Sequence, residues 1–284
     1  MTNISIDLSK NTDPIIADCI KVIKNIAEEL EIDFFVVGAA ARDLILGQFY
    51  DLPTGVVTKD IDIGITVSSW EHYQKIKDRL ISTGSFSSDE KIVHRLKYKN
   101  SRFVDIIPFG SVETPGGMVC WPPEYSIEMN VTGFQDAWKN TISVCLAKGL
   151  DIRFVSLAGM TVLKFIAWND RHHEFPTKDA VDIATLLKYY SQAGNEERLF
   201  NSNSDLMEAE DFDFEFAGAR LLGRDMTEIM SPKTKKTVLD ILAHNTDPDT
   251  NDSLIIAVAN HLPDKDYERA LKFLQNLKKG ILDK

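Results

Sequence analysis

Lys59-Asp60-Ile61-Asp62-Ile63 opens a run, Ile61 to Val67, that is rich in β-branched residues and alternates as a strand does. Side chains two apart in a strand point the same way, so Asp60 and Asp62 project to one face and Ile61 and Ile63 to the other. Two adjacent carboxylates repel each other unless a cation sits between them. Magnesium prefers carboxylate and phosphate oxygens, which makes the pair a natural clamp for a nucleoside triphosphate. A lone Asp-x-Asp is also what a solvated strand edge or a turn presents, so its meaning depends on its surroundings.

Downstream, Val104-Asp105-Ile106-Ile107-Pro108-Phe109 sets one aspartate inside an apolar strand. A charge there needs a partner or a metal. Beside the Ile61–Val67 strand, Asp105 would complete a three-carboxylate cage. Such a cage binds two metals about 4 Å apart and stabilises the attacking and leaving oxygens of an in-line displacement. The plainer reading is an ordinary strand-end aspartate. Upstream, Val36-Val37-Gly38-Ala39-Ala40-Ala41-Arg42-Asp43 ends a strand at a glycine and starts a helix at once. Backbone N–H groups at a helix start are unpaired and favour an anion, and small residues let a triphosphate approach. Taken alone, this is a tight turn with no ligand.

In this order and spacing the three features resemble the DNA polymerase β-like nucleotidyltransferases. That family joins a strand–Gly–small–helix turn to Asp-x-Asp and to a third aspartate on a neighbouring strand. The matching positions are Gly38-Ala39, Asp60/Asp62 and Asp105, and the resemblance spans residues 20–190. It implies an α+β fold: a mixed sheet with helices, then a helical C-terminal domain that closes the cleft. It implies two magnesium ions, or manganese in their place, on Asp60, Asp62 and Asp105, with a nucleoside triphosphate as substrate. Gly38, Ala39 and Arg42 become nucleotide-binding positions. Ala39 departs from the commonest pattern, which has a second glycine or a serine, so a hydroxyl for the γ-phosphate is missing and weaker triphosphate affinity is expected.

Val37 to Gly47 also looks like the opening of the CCA-adding and poly(A) polymerases, but their later Arg-Arg-Asp is absent, which argues against a tRNA CCA-adding enzyme. The second half is similar to the AbiEii type of abortive-infection toxin: Lys164 and Arg171 on one helix, then Lys178-Asp179-Ala180-Val181-Asp182. Lys164 and Arg171, seven apart, share a helix face, as do Asp179 and Asp182. The resemblance implies Lys164 as a catalytic cation, Lys178 and Asp179 as nucleotide-binding, and an antitoxin protein as partner. Lys164 sits among Val162, Leu163, Phe165, Ile166 and Ala167, so full exposure is not expected, and Asp179 is the partner expected for it. Lys164→Ala is expected to leave the fold intact. Lys178 and Asp182 also have the spacing of a surface i,i+4 pair. His172-His173 reads as a helix-end pair favoured by the dipole.

The remaining elements follow from periodicity. Helices are expected over Ile15–Leu30, Ala39–Leu46 with Gly47 as its stop, and Trp70–Thr83 behind Ser68 or Ser69. Strands are expected at Phe34–Val37, Val93–Tyr98, Arg102–Phe109, Ile127–Asn130, Thr141–Ala147 and Ile152–Val155, with a hairpin turn at Asn100-Ser101 and loop from Gly110 to Tyr125. From Ser156 the chain turns helical: Leu157–Arg171, Lys178–Tyr190 behind Thr177, Phe212–Met230, Lys233–His244, Leu254–His261 and Lys265–Leu282. Asn195–Glu215 reads as an acidic helix face or a mobile linker. This gives two domains, residues 1–155 and 156–284, with segregated strands and helices.

The 284 residues are 44% hydrophobic and carry a formal charge of −11, which argues against extended DNA binding, since that affinity comes from neutralising phosphates. Cys19, Cys120 and Cys145 show no metal-ligand spacing and suit a reducing compartment. No signal peptide and no run of about 18 apolar residues is present, so a cytoplasmic protein is expected. The function expected is transfer of a nucleoside monophosphate to a hydroxyl on RNA such as tRNA, or on protein, in a toxin–antitoxin or phage-defence system. The rivals are an aminoglycoside-type adenylyltransferase, whose cationic substrate suits the acidic composition, and a non-catalytic nucleotide-binding regulatory module.

Overall fold

The computed structural model describes residues 5–55, 58–210 and 212–283. The chain forms two compact units. One takes the residues up to Asp51 and Gly55–Val155; the other takes Leu52–Thr54 and everything from Ser156.

The first unit carries an eight-stranded mixed sheet. In chain order its strands are β1 (Ser5–Asp7), β2 (Phe34–Val37), β3 (Ile61–Val67), β4 (Phe86–Ser88), β5 (Arg95–Tyr98) and β6 (Arg102–Gly110). A separate two-stranded sheet, β7 (Met118–Trp121) with β8 (Ile127–Asn130), follows, and β9 (Ile142–Ala147) and β10 (Leu150–Phe154) return to the main one. The main sheet runs β1-β9-β10-β2-β3-β6-β5-β4. Its centre is β3, antiparallel to β2 and parallel to β6. In β3, Ile61, Ile63, Ile65 and Val67 are buried on one face, and the other face carries half-buried Asp62 and Thr66 on either side of buried Gly64.

Helices α1 (Pro14–Glu29) and α3 (Trp70–Ser82) start where their caps place them. Asp13 accepts the Ile15 N–H and Ser69 accepts the His72 N–H. After β2, helix α2 (Gly38–Arg42) widens into π-winding over Asp43–Phe49 and runs through Gly47. Gly47 is therefore no stop. Burial of Leu44, Ile45 and Leu46 outweighs the roughly 1 kcal/mol that a glycine costs in a helix. The hairpin turn centres on Lys99-Asn100, one residue earlier than expected, with both residues at positive φ and the Ser101 N–H bonded to the Tyr98 carbonyl. Strands β1, β4 and β7 and helix α4 (Phe134–Lys139) were not foreseen; each has three to six residues, too few for a periodic signal. Phe35, Phe109 and Phe134 fill one face of this unit, with ring centroids 5.7 to 6.2 Å apart.

The second unit is helical: α5 (Leu157–Arg171), α6 (Ala180–Tyr189), α7 (Glu196–Phe200), α8 (Ser204–Ala209), α9 (Phe214–Ile229), α10 (Pro232–Asn245), α11 (Ser253–Ala259) and α12 (Tyr267–Leu282). The fold class is α+β. Ser156, Asp213, Ser231 and Asp266 cap four of these helices through their side chains. Helices α9 and α12 touch backbone to backbone: a Cβ on Gly280 would fall 1.9 Å from the Arg220 carbonyl oxygen. Residues 196–209 of the acidic stretch are two short helices, while Asp211 lies outside the described residues. Among the described residues no helix is long and apolar enough to cross a membrane.

Candidate active site

Register builds the first part of the site. Val37 lies opposite Asp62, Asp62 opposite Asp105, and Asp105 opposite Arg95. Residues opposite one another across a sheet share a face, so Asp62, Asp105 and Arg95 form one row across β3, β6 and β5.

Each carboxylate has its own environment. Asp105 is 7% exposed, and both its oxygens are held by the Arg95 fork, Nε to Oδ1 at 2.7 Å and Nη2 to Oδ2 at 2.8 Å. The same Nη2 lies 3.6 Å from Asp60 Oδ2, so one nitrogen spans two carboxylates. The Asp105 contact holds the Arg95 guanidinium above its ordinary range, against the opposing pull of burial, with Asp60 and Asp62 adding to the effect. His94 Nε2 stands 4.0 Å from Asp105 Oδ2. Phe103 lies beneath the Arg95 guanidinium, 4.8 Å from its ring centroid.

Asp62 rests against the turn after β2. Gly38 has φ +74°, and a Cβ there would meet Asp62 Oδ2 at 1.9 Å. Only glycine satisfies both demands. Gly38 and Ala39 are half-buried beside it.

Asp60 is placed by a chain of contacts. Arg42 donates to Asp43 Oδ1 through Nε at 3.0 Å and Nη2 at 2.6 Å. Asp43 Oδ2 accepts the Thr58 N–H at 2.9 Å, and Thr58 Oγ1 accepts the Asp60 N–H at 3.1 Å. Arg42 is 3% exposed and forks onto Asp43. The π-winding that carries Asp43 is a form often found at functional sites.

As the side chains stand, no three His, Cys, Asp or Glu groups among the described residues converge closely enough to hold a metal. The donor set nevertheless fits magnesium: the groups are hard carboxylate oxygens, and a guanidinium already serves as a stand-in cation between two of them. Arg95 escaped the sequence reading. Its signal lay in the hairpin, since Tyr98 opposite Arg102 brings Arg95 opposite Asp105.

The second unit holds its own ion cluster. Lys164 is 8% exposed, and its ammonium contacts Asp179 Oδ1 at 3.1 Å and also pairs with Asp182. Arg171 forks onto Asp179 at 2.6 and 2.7 Å. Asp179 and Asp182 are 0% and 1% exposed. Burial disfavours the Lys164 charge, but the two carboxylates overcome it and hold the ammonium above its ordinary value. Burial likewise opposes the Asp179 charge, and the Arg171 and Lys164 contacts still take that carboxyl below its ordinary value. Asp182 is thus no surface partner for Lys178, which lies exposed. Helix α6 begins at Ala180 and not at Lys178, and the Asp179 side chain at its N-cap turns to Lys164 and Arg171 without capping. Lys164→Ala would take from the buried Asp182 its ammonium and from Asp179 one of its two cations, so the expectation of an untouched fold is withdrawn.

The model of the family described as nucleotidyl transferase AbiEii toxin, type IV TA system, matches residues 49–275. No curated protein matches the chain. Among solved structures, the solution structure of the antibiotic-resistance factor ANT(2'')-Ia is similar at 13% identity, with 70% of this chain and 98% of that one covered and a TM-score of 0.37. An antigenic nucleotidyltransferase-like protein from Paracoccidioides brasiliensis is similar at 15% identity, covering 70% and 93%, with a TM-score of 0.41. The apo form II of a CCA-adding enzyme is similar at 14% identity, covering 96% and 84%, with a TM-score of 0.29. With a family match that spans most of its length, this chain belongs to the AbiEii nucleotidyltransferase toxins of type IV toxin–antitoxin systems.

Proposed function

We propose that Asp60, Asp62 and Asp105 hold two magnesium ions, or manganese in their place, and that the site moves a nucleoside monophosphate from a nucleoside triphosphate to a hydroxyl on RNA such as tRNA, or on a protein. The observation that carries this reading is the row Asp62–Asp105–Arg95, which sets two carboxylates side by side and draws a cation to them. The metals, when bound, neutralise charge on the phosphates and on the attacking and leaving oxygens. The acceptor oxygen forms the new bond to the α-phosphorus, and the bond from that phosphorus to the bridging oxygen of the β-phosphate breaks. Pyrophosphate leaves with the electron pair, and the hydroxyl proton passes to Asp105. Gly38 and Ala39 offer backbone N–H groups to phosphate. Arg42, through Asp43 and Thr58, keeps Asp60 in place. Lys164 is kept as a proposed catalytic cation, with Lys178 and Asp179 as proposed nucleotide-binding residues. A cognate antitoxin protein is the partner that the family's toxin–antitoxin character supports.

The test is incubation with each α-labelled triphosphate, magnesium, and a panel of tRNA, protein and aminoglycoside acceptors. Label on tRNA or protein is expected. Label on the aminoglycoside alone, or transfer of a γ-label in place of the α-label, overturns the reading.

A further inference from the structure

We infer that Arg95 is a placeholder cation: it occupies the carboxylate site until metal arrives, and metal loading requires it to release Asp105. The inference rests on the carboxylate-site reading above.

Three observations carry it. First, the Arg95 fork engages both oxygens of Asp105, at 2.7 and 2.8 Å, so the oxygens a metal needs are already committed. Second, the nitrogen nearest Asp105 Oδ2 is also 3.6 Å from Asp60, which puts positive charge between two of the three proposed ligands, where a divalent ion would be drawn. Third, Arg95 does not depend on the fork alone. It stands on β5, which only β4 separates from the sheet edge, its side chain is 19% exposed, and its guanidinium already lies over the exposed Phe103 ring, a contact that need not be given up when the fork opens.

Asp105 is buried, and a buried carboxylate needs a partner for its oxygens. Arg95 is that partner here, and its fork holds Asp105 aimed along the row. The same contact then competes with metal, because guanidinium and metal seek the same carboxylate. Arg95 is therefore a positioning residue whose removal should make metal bind more tightly, the reverse of what loss of a purely supportive brace would do.

The experiment is a calorimetric titration of manganese and of magnesium into the full chain, without nucleotide, for wild type, Arg95→Gln and Arg95→Lys. Circular dichroism checks that each variant is folded. Arg95→Gln should tighten metal binding by about tenfold, the order expected when a close competing charge is removed. Arg95→Lys, which keeps the charge but loses the fork, should fall between. Unchanged or weaker metal affinity in folded Arg95→Gln overturns the inference. Should Arg95→Gln fail to fold, Arg95→Lys decides: tighter binding than wild type supports the inference, and equal or weaker binding overturns it. Metal binding to wild type that survives Asp62→Asn undiminished would instead sink the carboxylate site itself, so the two failures are told apart.

Discussion

Each compact unit keeps aspartates beside a basic side chain, but the two clusters are built in opposite ways. On the sheet, Asp60 is 40% exposed at its side chain, Arg95 is 19% exposed, and the guanidinium spans two carboxylates while fully satisfying only one. In the helical unit, Lys164 meets two carboxylates that are almost entirely buried, and Arg171 closes the remaining side of Asp179. Charges within reach of water can exchange partners at modest cost, whereas buried ones cannot be separated without leaving a charge uncompensated. The sheet cluster can thus rearrange at its exposed end, where Asp60 lies. The helical cluster holds one ammonium in one place.

The sharpest way to break this contrast is Lys164→Ala. Removing the shared counter-ion of two buried carboxylates should cost about 3–5 kcal/mol of stability. Urea denaturation checks it; a loss under 1 kcal/mol would mean that the cluster relaxes as easily as the one on the sheet. Activity of this variant has to be read where it is still folded, or loss of structure will pass for loss of chemistry.

A smaller effect is expected at the sheet. Gly38→Ala meets both a positive φ and the Asp62 carboxylate, and should cost about 1–3 kcal/mol from the backbone conformation alone. It should also weaken magnesium binding, since Asp62 must move. Unaltered stability and metal affinity in a calorimetric titration would mean that the turn does not confine Asp62.

Acid probes the helical cluster without mutation. The Asp179 carboxyl lies below its ordinary 3.8 in the folded chain, so its contribution is present above that value and is lost as pH falls through the folded value. The Lys164 ammonium lies above its ordinary 10.5, so its contribution is present below that value and is lost as pH rises through the folded value. Between these limits the cluster's contribution should be flat. Urea midpoints measured in steps down from pH 5 should fall once the medium is more acidic than 3.8 in wild type, and less steeply in Asp179→Asn.

The mildest changes belong to the cluster's rim. Arg171 is 37% exposed at its side chain, and Arg171→Ala should cost only about 1 kcal/mol because Lys164 still answers Asp179. Lys178→Ala, on the surface, should stay within about 0.5 kcal/mol of wild type. Equal losses from Arg171→Ala and Lys164→Ala in the same denaturation series would erase the distinction between shared and auxiliary cations.

What was legible in advance divides along the same lines. β3 and α5 were read to the residue, because seven alternating and fifteen helical positions carry a periodic signal and a capping serine marks the start of α5. The placement of Asp62 beside Asp105 needed only the guess that β3 and β6 are neighbours. Gly47 misled because local propensity was outvoted by burial of Leu44 to Leu46. Arg95 stayed hidden because its meaning comes from cross-strand register, and the hairpin turn was placed one residue late. Asp182 was read from helical spacing as a possible surface charge, and only packing against Lys164 reveals it as a buried one.

Label transfer from an α-labelled triphosphate, compared between wild type and Asp62→Asn at equal folded fraction, bears most directly on the carboxylate row as the seat of nucleotidyl transfer. Asp62 is half-buried on the face it shares with Asp105, so the substitution keeps shape and removes one charge. Transfer should fall on the order of 10³-fold, as when a transition-state charge stabiliser is lost, with little change in the urea midpoint. Transfer at the wild-type rate by Asp62→Asn would contradict the assignment and move the chemistry elsewhere in the molecule.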